Sequence, residues 1–303
     1  MSLLCRINFW LPWVLGLSLQ AGMTLAADAD TLRVCADPNN LPFSNEQQEG
    51  FENALAELVG EALGKPVAYT WYPQRRGFVR HTLGADKCDL IMGVPVGYEL
   101  AQPTSPYYRS TYVFVTRHDD DLQLTGLDDP RLHTLRIGVP VVGDDYSSTP
   151  GAMALGRRGI IDNMVGYSIY GDYSKPNPPS RLIEAVASGE IDVAIAWGPL
   201  AGYFADRQPV PLDVVPVTPA VDGGTPFTFR IAMAVRRNDE AFRQEIEQVL
   251  RARAPTIRAL LADYQVPMLD LEDASDRAME GTDHVEDRSA TVIHTGKSSA
   301  DQQ

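Results

Sequence analysis

In the first third of the chain, the pattern of apolar and polar positions switches back and forth between the period typical of strands and the period typical of helices. Short apolar runs of strand type are separated by segments in which apolar residues recur every three to four positions. Gly64 and Pro66 end the longest of these helical segments. Because successive parallel strands need a crossover helix, the alternation predicts a parallel sheet covered by helices. The predicted strands are Leu32 to Ala36, Val67 to Trp71, Asp89 to Val94 and an exit strand, Tyr112 to Thr116; the predicted helices are Phe51 to Leu63 and Phe78 to Leu83.

A second unit repeats the alternation with different residues. It leads into a connecting stretch rich in proline, Pro209 to Pro226, which is followed by a further strand and two amphipathic helices separated by Pro255. The predicted strands of this part are Leu135 to Val139, Gly166 to Tyr170, Ile191 to Ala196 and Phe229 to Val235; the predicted helices are Met153 to Arg158, Leu182 to Ala187, Glu240 to Arg253 and Thr256 to Tyr264.

The order of these elements predicts an α/β protein with two lobes, because one unit exits into a second unit and the chain then returns. This is the architecture of a bilobal periplasmic binding protein of type II, like the family 3 solute-binding proteins, with two parallel-type sheets and two hinge crossings. We expect the first lobe to comprise residues 28–117 and 226–268, and the second lobe with the hinge to comprise residues 118–225.

The two ends of the chain differ from the lobes in composition. A cationic start with Arg6 leads into the apolar run INFWLPWVLGLSL and then into small residues, which is typical of a cleavable signal peptide over residues 1–27. An uncleaved signal anchor is the alternative, but the run is short for a membrane span. We therefore expect a periplasmic protein without membrane insertion after cleavage. Residues 269–303 are acidic and poor in apolar side chains, which predicts a disordered tail.

Composition and charge narrow the classes of function. The 303 residues are 44% hydrophobic, an ordinary globular value, and the formal net charge is −14. Loss of the single charge of Arg6 with the signal peptide takes the net charge to −15. With no cluster of Lys and Arg to neutralise phosphates, we exclude a nucleic-acid-binding protein.

Of the three cysteines, Cys5 leaves with the signal peptide, and Cys35 and Cys88 remain as a pair. An even number of cysteines in an oxidising compartment favours a disulfide between them. Two buried thiols that act as small apolar residues are the alternative.

Ligands of open parallel sheets bind beyond the carboxyl ends of the strands, so five loops are expected to line the cleft between the lobes. These loops are Asp37 to Ser44, Pro73 to Gly77, Gly93 to Tyr98, Pro140 to Pro150 and Trp197 to Gly202. The candidate residues for binding a ligand or a partner are Asp37, Asn39, Asn40, Phe43, Gln74, Arg75, Arg76, Pro95, Tyr98, Tyr108, Arg109, Ser147, Ser148 and Trp197.

Several of these candidates also have structural interpretations. An amino-acid receptor pairs an Arg with the ligand carboxylate, a role open to Arg75, Arg76 and Arg109, and an acidic residue with the ammonium group. The run Ala196-Trp197-Gly198-Pro199 offers no such acid in the second lobe, which weakens that function. Arg75 and Arg76 are also suited to surface ion pairs, and Trp197 to a core position between the lobes. The alternation around Tyr108 favours the core of the exit strand.

Four segments carry a family resemblance: LRVCADPNNLPFSNEQQEGFENALAELV, YTWYPQRRGFVRHTL, CDLIMGVPVGYE and SPYYRSTYVFV. They resemble the MxaJ/XoxJ proteins, solute-binding-type proteins associated with quinoprotein methanol dehydrogenases. The resemblance runs from about residue 30 to about residue 267 and is strongest up to Arg117. It implies an accessory role in periplasmic methanol oxidation, acting with the dehydrogenase, and the cytochrome c of that enzyme is a further candidate partner. We expect a binding protein and not an enzyme.

The resemblance also implies where the cofactors lie. Pyrroloquinoline quinone (PQQ) and calcium or a lanthanide are expected only in the partner enzyme, so this chain itself is expected to hold no cofactor or metal. We expect it to be a monomer.

Two other functions stay open. One is a small-solute receptor of an ABC-type transporter. The other is a periplasmic dehydratase that uses carboxylates of the cleft loops for acid–base catalysis. A metal site is not indicated, because His81, His118 and His133 have no partner at metal-ligand spacing. The carboxylates concerned are Asp37, Glu99, Asp144 and Asp145.

Overall fold

The structure of the protein is a computed structural model that describes residues 31–124, 126–142, 147–168 and 173–271. The predicted signal peptide lies outside these ranges, and so does the predicted tail beyond Leu271. Within the described ranges, no helix has the length and apolar character needed to cross a membrane.

Strands and helices alternate along the described chain and are labelled in chain order. The strands are β1 Leu32–Ala36, β2 Asn39–Asn40, β3 Ser44–Asn45, β4 Val67–Trp71, β5 Leu90–Pro95, β6 Gln102–Pro103, β7 Tyr108–Arg117, β8 Ile137–Val142, β9 Ser147–Ser148, β10 Met164–Ser168, β11 Val193–Trp197, β12 Leu212–Pro216, β13 Val221–Asp222, β14 Thr225–Pro226 and β15 Thr228–Val235. The α-helices are α1 Phe51–Leu63, α2 Phe78–His81, α3 Pro150–Arg157, α4 Arg181–Ala187, α5 Gly198–Ala205, α6 Glu240–Ala252 and α7 Ala254–Asp263.

The first lobe is built on the strand order β4-β1-β5-β15. β1 is parallel to both of its neighbours, with Leu32 opposite Val67 and Val34 opposite Leu90, and β15 runs antiparallel to β5. Helices α1, α6 and α7 bury their apolar faces in one core with this sheet. Gly64 ends α1 with φ 67°, the left-handed conformation that glycine adopts without strain.

The second lobe is built on β10-β8-β11, which are mutually parallel. Its sheet buries side chains on both faces, because α4 and α5 cover one face and α3 covers the other. The side chains between the sheet and α3 include Ile137, Leu155 and Phe227, all fully buried. A sheet that is covered on both faces needs continuous apolar strands, and Val193–Trp197, with the sequence VAIAW, is one of them.

Strand β7 joins the two lobes. Its first residues pair antiparallel with β15 of the first lobe, with Tyr108 opposite Ile231. Its later residues pair antiparallel with β11 and β12 of the second lobe, with Phe114 opposite Ile195. The α/β prediction is confirmed, and the structure adds that both sheets are mixed and that a shared strand links them into one hydrogen-bonded path.

Helix α5 occupies the place where the sequence analysis expected a cleft loop, Trp197 to Gly202, so that prediction was wrong. Glycine and proline in the run indicated a loop. However, Pro199 lies in the first turn of the helix, where its missing N–H loses no hydrogen bond. Strand β12 was also missed, because it lies within the proline-rich connecting stretch.

Gly202 explains why α5 carries glycine. A Cβ atom at this position would lie 2.0 Å from the carbonyl oxygen of Gln265, in the segment that follows α7. Glycine therefore lets a helix of the second lobe rest directly on backbone at the C-terminal end of the described chain. Tyr203, on the same helix, stacks on Tyr264 with ring centroids 5.8 Å apart.

A disulfide joins Cys35 of β1 to Cys88, two residues before β5, with Cα atoms 5.4 Å apart. The predicted pairing is confirmed, and the alternative of two free thiols is wrong. Both residues are buried with Phe78 and Leu83 in a small cluster of the first lobe. The bond therefore fixes β1, an inner strand of the first-lobe sheet, to the segment that leads from the short helices into β5.

We expect loss of this disulfide to destabilise the protein by about 2–5 kcal/mol, because the bond restricts the unfolded chain over a sequence separation of 53 residues. The measurement is urea unfolding of the oxidised protein, the protein in reductant, and the double variant Cys35→Ala, Cys88→Ala. The reduced wild-type protein separates loss of the bond from loss of the sulfur atoms. Equal unfolding midpoints in the oxidised and reduced samples would contradict the prediction.

Candidate functional site

The hairpin of β2 and β3 in the first lobe reaches into the second lobe. Leu41, at its tip, is 4% exposed and belongs to a buried cluster of the second lobe that includes Leu182, Ile183 and Leu200. The lobes are therefore held together by an apolar side chain of the protein itself. The sequence analysis did not identify Leu41, since a single leucine in a loop gives no sign of its distant neighbours.

Polar contacts beside Leu41 also join the lobes. Asn39 donates from Nδ2 to the carbonyl of Lys175 over 2.8 Å and accepts at Oδ1 from the backbone N–H of Asn177 over 3.2 Å. The hydroxyl of Tyr173 donates to Oδ2 of Asp37 over 3.0 Å. Two of the predicted cleft residues, Asp37 and Asn39, thus lie at the contact between the lobes.

The Asp37 carboxylate is buried and accepts hydrogen bonds from its own chain. Backbone N–H groups of Asn39 and Gln74 donate to it over 2.8 and 2.5 Å, in addition to Tyr173. Burial raises the pKa of Asp37, and these hydrogen bonds oppose the rise. Because its oxygens are engaged by the protein, Asp37 serves to hold the loops together.

A cavity of about 230 Å³ lies between the lobes beside the hinge. Both lobes contribute to its wall, Tyr112 of β7 and Phe229 of β15 included, and none of the lining residues in the described part of the chain is acidic or basic. The lining residues are Phe43, Pro95, Tyr112, Pro140, Thr149, Leu182, Ala196, Trp197, Leu200, Phe229 and Ile231.

Trp197 forms the aromatic part of this wall. It ends β11, pairs with Tyr112 of β7 across the ladder, and packs its ring on those of Tyr112 and Phe229 at centroid distances of 5.5 and 5.7 Å. Both interpretations of Trp197 thus have a basis in the structure, since it lines the cavity and also packs between the lobes. Phe43 and Pro95 were also predicted for the cleft, and both line the cavity.

Thr149 supplies an unusual polar atom. It precedes helix α3, is 4% exposed and lines the cavity, yet its Oγ1 is buried without a hydrogen-bond partner. Its side chain makes no capping bond to α3. An unpaired buried hydroxyl costs about 1–3 kcal/mol, so it needs an explanation.

Tyr108 and Arg109 do not line the cavity. Tyr108 is 3% exposed and packs edge-on against Phe51 in the first-lobe core. Arg109 faces the C-terminal segment, where its guanidinium bonds to the carbonyl of Asp270 and to Oγ1 of Thr228. Neighbouring residues of a strand point to opposite faces of the sheet, and both faces of β7 are covered here, so both side chains are buried. Neither is therefore available to bind a ligand carboxylate.

The remaining predicted residues lie at the rim or elsewhere. Asn40 donates to the side-chain oxygen of Gln74 over 3.0 Å, and Tyr98 packs against the disulfide cluster. Arg75 and Arg76 are exposed, lie outside the cavity lining and make no ion pair in the described part of the chain.

Ser147 and Ser148 form β9, antiparallel to β8, and their side chains lie outside what the structure describes. Of the carboxylates proposed for acid–base work, Glu99 is exposed, and Asp144 and Asp145 lie outside the described residues. Across residues 31–124, 126–142, 147–168 and 173–271, no group of three His, Cys, Asp or Glu side chains is placed to hold a metal ion.

Glu52 is a carboxyl group that the sequence analysis missed. It lies in the first turn of α1, where an acidic residue is ordinary because it interacts favourably with the helix dipole. A Cβ atom on Gly93 would come within 2.3 Å of its Oε1, so glycine at this point of β5 makes room for the carboxyl group. Burial, and then the negative charge of Asp37, raise the pKa of Glu52 to about 8.

The chain is similar to known solute-binding-type proteins. A sequence profile of the family described as bacterial extracellular solute-binding protein matches residues 96–249. Protein MoxJ of Methylorubrum extorquens is 34% identical over 255 residues, which cover 80% of this chain and 83% of that protein.

Solved structures of solute-binding-type proteins are also similar to this chain. The periplasmic binding protein XoxJ from Methylobacterium extorquens AM1 matches with a TM-score of 0.66 and 36% identity, covering 79% of this chain and all of that one. MxaJ from Methlophaga aminisulfidivorans MPT matches with a TM-score of 0.69 and 29% identity over the same shares.

We expect Leu41→Ala to open the lobes, because truncation of a buried leucine costs about 2–5 kcal/mol and this leucine acts across the cleft. Small-angle X-ray scattering should show a larger radius of gyration than for the wild-type protein. Leu100→Ala is the control, since Leu100 is 64% exposed. An unchanged radius in Leu41→Ala would show that its burial does not maintain closure.

The raised pKa of Glu52 predicts a loss of stability as the pH rises. Between the ordinary pKa of 4.5 and about 8, the unfolded chain ionises at this residue while the folded protein keeps it protonated. Stability therefore falls as the pH rises across this window, and the loss is complete above about pH 8.

Glu52→Gln should remove this contribution and flatten the dependence of the urea midpoint on pH between 5 and 8. Glu57→Gln, an exposed change on the same helix, controls for the altered helix charge. The prediction fails if Glu52→Gln and the wild-type protein lose stability in parallel over this range.

Proposed function

The chain belongs to the family of bacterial extracellular and periplasmic solute-binding-type proteins that includes MoxJ, MxaJ and XoxJ, and from this we propose that it is a periplasmic accessory protein of methanol oxidation. In this role it binds a quinoprotein methanol dehydrogenase at its interlobe cleft. Membership in this family makes it a binding protein rather than an enzyme. Family membership therefore argues against the dehydratase alternative.

The chemistry of the cleft is the observation that supports a protein partner. A free amino acid needs a cation and an anion in its site once it is removed from water. Here Arg109 is bonded to Asp270 and Thr228, and Asp37 is saturated by its own chain. What remains beside the hinge is an apolar wall, which suits an apolar side chain of a protein surface.

Exposed arginines near the rim add a charged component to this surface. Arg75 and Arg76 follow Gln74, whose backbone and side chain contact Asp37 and Asn40. Charges at the edge of an interface act mainly on the rate of association and its dependence on salt. We assign recognition to the apolar wall and steering to these arginines.

The metal and the quinone belong to the partner in this proposal. PQQ, with calcium or a lanthanide, carries out alcohol oxidation in the dehydrogenase, and the cytochrome c that works with it is a further candidate contact. The residues of this chain contribute binding and positioning only.

A small-solute receptor is the second candidate function, because residues of both lobes line the cavity. A solute that binds only the folded protein raises its melting temperature as the solute concentration exceeds the dissociation constant. Thermal-shift screening with amino acids and other small solutes therefore tests this alternative.

We expect Trp197→Ala to weaken binding to methanol dehydrogenase from the same organism by at least about tenfold, because buried tryptophans dominate interface energies. Against an acidic surface of the dehydrogenase, Arg75→Ala should slow association and reduce its salt dependence, with a smaller effect on affinity. Binding is measured by surface plasmon resonance at two salt concentrations, with circular dichroism to verify folding.

Arg258→Ala is the matched control for Arg75→Ala, since Arg258 is an exposed arginine on α7. Wild-type affinity in a correctly folded Trp197→Ala variant would remove the cleft from the proposed interface. Absence of any binding between the wild-type protein and the dehydrogenase would refute the accessory role itself.

A further inference from the structure

We propose that the cleft binds an alkylammonium group whose cation pairs with the carboxylate of Glu52 and whose alkyl stem lies against the apolar wall of the interlobe cavity. The group is recognised at the same cleft, so the inference rests on the proposed function and names its chemistry. The test uses small probes, so it succeeds or fails independently of dehydrogenase binding.

The topology of the first lobe places Glu52 at the cleft. Helix α1 follows β1, and a helix that follows a strand of a parallel sheet begins near the carboxyl end of that strand, where ligands bind to such sheets. Glu52 lies in the first turn of α1, and its backbone N–H donates to the carbonyl of Phe43 over 2.9 Å. Since Phe43 lines the cavity, the start of α1 lies directly behind the cavity wall.

The carboxyl group of Glu52 lies beside that wall. A Cβ atom on Gly93 would be 2.3 Å from its Oε1 and 3.8 Å from Cγ2 of Ile231, which lines the cavity. Pro95, the ladder partner of Ile231, faces the same side of β5 as Gly93, because strand side chains alternate. Two residues along a strand span about 6–7 Å, a distance that an ammonium group on a four-carbon stem covers.

This carboxyl group has no partner in the described part of the chain. It makes no hydrogen bond and no ion pair there. Glu52 is partly exposed, and its oxygen atoms, unlike Oγ1 of Thr149, are not shut off from groups the size of a water molecule. An ammonium nitrogen is of that size, so it can approach to hydrogen-bonding distance.

The surroundings of Glu52 lack the positive charge that its anion needs. The titratable groups that act on it are the Asp37 carboxyl and the hydroxyls of Tyr107 and Tyr108. Burial raises the pKa of both tyrosines well above 10, so they stay neutral. Burial and the charge of Asp37 raise the pKa of Glu52 to about 8. A ligand cation supplies the missing charge and favours the ionised carboxylate.

The site favours an amine that carries no neighbouring carboxylate. Arg109, the candidate partner for a ligand carboxylate, is bonded to Asp270 and Thr228. Alkylamines have the required chemistry, and so does a lysine side chain of a partner protein. The probe for the class is n-butylammonium, which matches the lysine side chain. The matched uncharged probe is 1-butanol.

Affinities are measured by heteronuclear NMR titration of the isotope-labelled protein in phosphate–borate buffer, which contains no amine. At pH 9, n-butylammonium should bind about ten- to a hundredfold more tightly than 1-butanol, the ratio expected for one hydrogen bond to a charged group. Its affinity should increase about tenfold from pH 7 to pH 9, because the ionised fraction of a carboxyl group with a pKa of about 8 increases by that factor.

Glu52→Gln keeps the shape of the side chain and removes its charge. In this variant, the affinity for n-butylammonium should fall to that for 1-butanol and should no longer depend on pH. Glu57→Gln, an exposed change on the same helix, should bind as the wild-type protein does. Glu52→Gln is expected to fold, because the carboxyl group that it replaces makes no hydrogen bond. A urea midpoint at pH 8 at or above the wild-type value verifies this.

Three results would overturn the inference. The first is equal affinity of the wild-type protein for the two probes at pH 9. The second is unchanged binding of n-butylammonium, or an unchanged dependence on pH, in Glu52→Gln. The third is a set of chemical-shift changes that omits the amide signals of Gly93 and Ile231, since the bound cation lies beside both residues.

A competition experiment then distinguishes the two sources of the group. If a lysine of the dehydrogenase occupies the site, saturating n-butylammonium lowers dehydrogenase binding, and Glu52→Gln weakens it. If the ligand is a free amine, dehydrogenase binding is unchanged by the probe and by the substitution.

Discussion

The backbone pairing of β7 is the constraint on which the arrangement of the molecule depends. At Tyr112 the N–H donates to the carbonyl of Phe227 over 2.8 Å, while the carbonyl accepts from Val217 over 2.9 Å. Strands β15 and β12 pair with successive parts of β7. Since each residue has one donor and one acceptor on its main chain, a residue of β7 that bonds to β15 has no group left for β12. The sheet divides at this point, and Tyr112 is one of the residues that line the cavity beside the hinge.

This geometry engages two charged groups outside the described lining of the cavity. Arg109 precedes the point of division and is covered by the C-terminal segment, and Asp37 is held by loops on both sides of the gap. The charged groups that a receptor for zwitterions presents to its ligand are here used to hold the protein together. The lining of the cavity is apolar across the residues that the structure describes.

Much of the fold could be predicted from the sequence because it depends on local pattern. Periodicity gave the strands around Val34 and Ile195 and helix α1, and cysteine counting gave the disulfide. Helix α5 was missed because its glycines are needed for contact with a distant segment. For the same reason, nothing local distinguishes Leu41, Glu52 or Thr149, whose burial depends on residues far along the chain. Trp197 was found because it follows a buried strand.

The hairpin tip at Leu41 has a consequence for signalling. In a receptor that reports to a transporter, the guest supplies the free energy that favours the shut conformation, so shape reveals occupancy. In this protein, Leu41 and Asn39 supply contacts of that kind from within the chain itself. Contacts within the chain act in the same direction whether or not a guest is present, so they weaken the link between occupancy and shape on which a membrane permease relies.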